Sequence, residues 1–97
     1  MADNRFSIIV HDFNRCLICG SYLNVEKHEA IFGTANRKLS IKYGLVVPLC
    51  KIHHTSSIGV HHNRKLDLKI KELAQKAFEY QIGTREEFRQ IFGQSYL

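Results

Sequence analysis

The chain has 97 residues, a net charge of +5, a hydrophobic fraction of 44% and ten aromatic residues without a tryptophan. That composition excludes a disordered chain, and the length suits one domain over residues 1–97 whose core is small, burying roughly 60 to 65% of the unfolded-chain surface. No apolar stretch approaches a membrane span or resembles a signal peptide. With three cysteines, an odd number, internal disulfides would leave one unpaired. The expected location is cytoplasmic, where thiols stay reduced and available to metal, and a metal staple would supplement the core.

In chain order, Arg5 to Val10 contains Ile8, Ile9 and Val10 and predicts a short strand. Cys16, Cys19 and Gly20 form a knuckle. Tyr22 to Phe32 alternates loosely and predicts one strand of a hairpin, with His28 near its middle. Gly33 to Tyr43 is polar and basic, and predicts an irregular connection with a short helical turn. Leu45 to Leu49 is the second strand, where Pro48 implies an edge position because it cannot donate to a ladder. From Arg64 to Gln81 the period becomes helical, with Leu66, Ile70, Leu73, Ala74, Ala77 and Phe78 on one core-facing side. Gly83 ends that helix. Thr84 with Glu87 is a capping box for a second helix through Phe92, stopped by Gly93, and Gln94 to Leu97 is a tail.

The chemistry is concentrated in a CxxC…CxxH arrangement, Cys16, Cys19, Cys50 and His53. Thiolate and imidazole at this spacing are the ligands of a closed tetrahedral zinc site. A redox CxxC is the bland alternative, disfavoured because no βαβ pattern surrounds the pair. Four ligands complete that site, so His54, His61 and His62 remain beside it, free to bind a second ion. Imidazoles suit zinc, nickel, manganese or iron better than magnesium. His54 and His61 are the candidate ligands, with His62 in reserve.

Charge is unevenly placed. From Arg37 to Lys71 there are eight bases and one acid, Asp67, and this stretch holds the second half of the cysteine–histidine motif and all the surplus histidines. A polyanion is its natural partner, with Arg37, Lys38, Lys42, Arg64 and Lys65 the candidate contacts.

Strand, metal ligands, second strand and helix in this order resemble the ββα-metal fold of HNH endonucleases, an α+β architecture stapled here by zinc, with further C-terminal helices. The segment Leu49-Cys50-Lys51-Ile52-His53-His54 looks like the family's LCxxHH step, with His54 in the ligand place. His28-Glu29, followed by Ile31-Phe32-Gly33, looks like its first-strand pair, often written HH. Phage-type members similar to the recombination-enhancement nucleases are nearest, over about residues 16 to 65. The resemblance implies a metal-dependent DNA endonuclease associated with phage or mobile-element recombination. It implies a structural Zn2+, a catalytic divalent ion (Mg2+, Mn2+, Ni2+ or Zn2+), DNA and recombination or phage proteins as partners, and neither membrane nor small-molecule cofactor. His28 is then the residue that activates water; if it is a ligand instead, Glu29 inherits that task. Two departures stand out: Glu29 replaces the second histidine, and the central asparagine has no counterpart near Gly44 or Leu45.

Two other classes fit the residues: a zinc-stabilised nucleic-acid-binding module that lost its catalytic site, and a protein-interaction module. His28 with His54 separates the first from the enzyme. The basic stretch separates both from the third.

Overall fold

The computed structural model describes residues 5–97, and its element order is β1 Val25–Glu29, α1 Thr34–Tyr43, β2 Val46–Cys50, α2 Lys51–His54, a 3₁₀ turn Val60–His62, α3 Arg64–Gln81 and α4 Arg85–Phe92. β1 and β2 form a two-stranded antiparallel sheet in which Val25 faces Cys50, Glu26 faces Leu49, His28 faces Val47 and Glu29 faces Val46. The architecture is therefore a small α+β one. Among the described residues no helix is long and apolar enough to cross a membrane.

β2 is buried along its whole length, and its Val47 and Leu49 join Ile31, Leu45, Ile70, Ala74, Phe78, Phe88 and Phe92 in the core. The carbonyl of Pro48 accepts the N–H of Leu17, so the cysteine knuckle docks on this strand. α3 has the bounds its periodicity predicts, and Asn63 caps it by accepting the N–H of Leu66. Its buried face is turned from the apolar stripe: Asp67 and Gln75 are buried while Leu73 is 40% exposed. The turn is eased because most of those polar atoms are paired, Asp67 Oδ1 alone among them lying buried without a partner. Lys71 donates to Asp67, and Gln75 donates to Ser95 and Glu79 while accepting the N–H of Tyr96, which ties down the C-terminal tail. The capping box of Thr84 and Glu87 is complete, and α4 sets Phe88 and Phe92 in edge contact with Phe78.

Two segments differ from expectation. Residues 5–10 are not a strand. Ser7 Oγ accepts the N–H groups of both Ile9 and Val10, which a ladder would otherwise use, and the bent segment lays Ile8 and Ile9 against the core. The polar connection after Gly33 is a full helix, α1, closed by Gly44 in the left-handed conformation (φ 73°). Its apolar period is faint because it is held by a buried polar side chain: Ser40 Oγ donates to the Ile31 carbonyl at 2.7 Å and accepts the Ile31 N–H at 3.2 Å, pinning α1 to the end of β1.

Candidate metal centres

The knuckle is built by backbone bonds before any ligand is counted. Cys16 N–H donates to Ser21 O and Gly20 N–H returns to Cys16 O, with Gly20 at φ 76°. Cys50 closes β2 and caps α2, which carries His53 one turn on. The donor atoms of Cys16, Cys19, Cys50 and His53 all lie within 4.8 Å of one another. Cys19 Sγ is 3.7 Å from Cys50 Sγ, and His53 Nδ1 is 3.1 Å from Cys50 Sγ and 3.9 Å from Cys16 Sγ. Sulfurs about 3.8 Å apart are what zinc–sulfur bonds of about 2.3 Å subtend at the tetrahedral angle. The group can hold a metal ion and is compatible with structural zinc. Burial works to raise the Cys16 thiol, but the backbone around Cys19, Cys50 and Ile18 outweighs it and holds it down at about 6, which favours the thiolate a metal needs.

A second set of donors meets on the other side of α2. His28, His54 and His61 bring their ring nitrogens within 4.8 Å of one another, and the ring centroids are 4.9 to 5.1 Å apart. His61 Nε2 lies 3.1 Å from His54 Nε2. His28 is 1% exposed and its Nε2 is buried without a hydrogen-bond partner. An orphaned imidazole nitrogen beside two others costs free energy unless something fills the gap, and a divalent cation is the species that three imidazole lone pairs suit. Burial, followed by the charges of His54, His61, Arg37 and Lys71, pushes His28 down to about 3, so it stays neutral and able to ligate. Burial and the same cationic neighbourhood lower His61. The Nδ1 of His54 is 2.9 Å from Glu26 Oε1.

The surroundings are cationic. Phe32 touches His28 and His61, with Lys71 Nζ 4.2 Å and Arg37 5.9 Å from its ring centre. A cavity of about 410 Å³ opens beside it, lined by Phe32, His61, Asn63, Arg64, Asp67 and Lys71 among others. Lys71 is fixed by Asp67 at 2.9 Å, with the rings of Phe32 and Tyr96 beside it.

The structure thus brings Cys16, Cys19, Cys50 and His53 into one group, and His28, His54 and His61 into another. Glu29 joins neither. Strand alternation turns it from the face of His28, and it pairs instead with Arg5 at 3.5 Å and Arg37 at 4.0 Å. His62 is exposed and lines the cavity beside the second group. Arg37 and Arg64 border that group, whereas Lys38, Lys42 and Lys65 are exposed on α1 and on the first turn of α3, with Lys42 over Tyr43. Sequence reasoning missed Glu26 and Lys71 as site residues. Glu26 had a signal, since residues two apart on a strand share a face and Glu26 precedes His28 by two. Lys71 had one as well, one helical turn after Asp67.

No family model, no curated protein and no solved structure matches this chain significantly.

Proposed function

We propose that the chain is a metal-dependent endonuclease hydrolysing phosphodiester bonds in DNA, on the ββα-metal plan of HNH nucleases. Cys16, Cys19, Cys50 and His53 hold a structural zinc, and His28, His54 and His61 hold the catalytic ion. The observation that carries this reading is the convergence of three imidazoles, one with a buried unpartnered Nε2, with Arg37 and Lys71 nearby. Three ligands leave an ion open to substrate, whereas four thiolate and imidazole ligands close it.

In this reading burial keeps His28 neutral, and His28, His54 and His61 fix the ion. When bound, it supplies Lewis acidity to the scissile phosphate and to the attacking water. Arg37, Arg64 and Lys71 hold the flanking phosphates by charge, and the Phe32 ring keeps the Lys71 ammonium at the edge of the site. Such contacts position a strand without reading its sequence, so cleavage has little sequence preference. The HNH resemblance, rather than the site itself, suggests phage or recombination proteins as partners and a cytoplasmic setting. His28 moves from the role of base to that of ligand, because its free nitrogen meets those of His54 and His61.

A second reading, a zinc-stabilised nucleic-acid-binding module, is favoured by one observation: Glu29, the alternative base, is engaged by Arg5 and Arg37 away from the imidazoles. Incubating supercoiled plasmid with the zinc-loaded protein and a panel of divalent ions separates the two. Nicking that His54→Ala abolishes supports the enzyme. Salt-sensitive DNA binding without cleavage under any ion leaves the binding module.

A further inference from the structure

Glu26 stands in no motif, and 45% of its side chain is exposed, yet it reaches from β1 to α2 to meet His54. An ionised carboxylate only accepts hydrogen bonds, so the His54 Nδ1 beside it, at 2.9 Å, must carry the hydrogen. The nitrogen left to offer a lone pair is then Nε2, which faces His61 Nε2 at 3.1 Å. His54 is thereby pre-set to offer Nε2 to a cation.

We infer that Glu26 is a positioning residue for the second metal centre, fixing the tautomer and ring orientation of His54 and so setting the affinity of the three-histidine site. The inference rests on the reading that His28, His54 and His61 hold a metal. The geometry behind it is independent of the zinc knuckle: β1 alternation puts Glu26 and His28 on one face, and the ladder sets them opposite Leu49 and Val47, just before α2 begins. One strand therefore supplies a ligand and the partner of another ligand. Carboxylate partners of this kind raise ligand basicity, and their loss typically costs about 10- to 100-fold in metal affinity.

The test uses the full chain with zinc loaded, titrated calorimetrically with Ni2+, and with zinc content assayed afterwards. Glu26→Ala should weaken Ni2+ binding about 10- to 100-fold with zinc retained, and Glu26→Gln, which keeps the shape but not the charge, should fall between it and the unmodified protein. Nitrogen-15 spectra of the histidine rings add a readout that fold stability alone does not move. The Nδ1–H form of His54 should lose its dominance in Glu26→Ala. Ni2+ affinity within twofold of the unmodified protein, or an unchanged His54 tautomer, overturns the role of Glu26. His54→Ala tells the two failures apart. If it binds Ni2+ undiminished, the metal-site reading itself fails; if it loses Ni2+ while Glu26→Ala does not, only the present inference does.

Discussion

Two neighbouring residues of one four-residue helix, His53 and His54, belong to groups of opposite character. His53 joins three cysteines, two of them buried, in a set with four donors; His54 joins two histidines in a set with three, beside a cavity lined by Arg64 and Lys71. The contrast is one of ligand number and softness. Thiolates bind zinc tightly and complete its shell, so the first set suits holding the chain together, whereas three imidazoles leave coordination positions vacant for exchange. A helix of four residues has no stability of its own, so whatever fixes Cys50 and His53 also aims His54. In the proposed reading the four-donor set is thereby the scaffold of the three-donor one.

The strongest way to break this comparison is to remove a ligand of the scaffold. Cys50→Ser should release the zinc and unfold or aggregate the chain, because metal binding in small domains is folding free energy. Elemental analysis with far-UV circular dichroism decides it, and a folded, zinc-free variant would show that the knuckle is not a staple. His54→Ala is the converse. It should keep zinc and fold but lose second-site metal at least about 100-fold, and with it cleavage, since one of three ligands is gone; Ni2+ titration and a plasmid assay read both.

The pH dependence separates the centres further. His28 ordinarily titrates at 6.5 and is held at about 3 in the fold. The unfolded chain therefore takes up a proton below about 6.5 that the folded chain refuses until about 3. Stability contributed by neutral His28 is complete above 6.5 and is lost as the pH falls from there. Between pH 6.5 and 5 the loss is about 2 kcal/mol. Urea unfolding of the unmodified protein and of His28→Leu at the two pH values isolates the effect, since the acid sensitivity of the cysteine group is common to both. Parallel stability curves would show that His28 is not held neutral.

A smaller effect is expected from the loop that delivers His61. Gly59 packs so closely that an added Cβ would lie 2.6 Å from the carbonyl oxygen of His54. Gly59→Ala should push the 3₁₀ turn away from α2 and weaken Ni2+ binding about tenfold, with zinc content unchanged, because misplacing one ligand of a weak site matters more than a slight shift beneath a strong one. Equal Ni2+ affinity would show that His61 contributes little.

Much of this arrangement was legible in the residues. The bounds of α3, the capping box of α4 and the two-residue gaps within Cys16–Cys19 and Cys50–His53 are local signals, each written within a few positions. α1 was not legible, because Ser40 holds it through a buried hydroxyl rather than an apolar stripe. The Arg5 to Val10 strand failed for a similar reason, Ser7 having captured its amides. The role of Glu26 depends on which face of β1 meets α2, and that is known only once Val25 is paired with Cys50.

Glu29 gives the finest test of the contrast, because motif position puts it in the open centre and geometry takes it out. On β1 it neighbours His28 but pairs with Arg5 and Arg37, with a side chain 14% exposed. Glu29→Gln should therefore leave Ni2+ affinity within twofold and zinc unchanged, while lowering stability by less than about 1 kcal/mol, the usual worth of partly exposed pairs. Arg37 would lose a carboxylate partner but keep its place near Phe32. Its charge would then be less neutralised, and DNA binding at low salt should strengthen slightly rather than weaken. A large fall in metal affinity would make Glu29 a ligand and mean that β1 presents both its faces to the site. Loss of cleavage with metal affinity intact would instead return it to the role of base, and the carboxylate now neutralised by two arginines would have to swing free of them in the substrate complex.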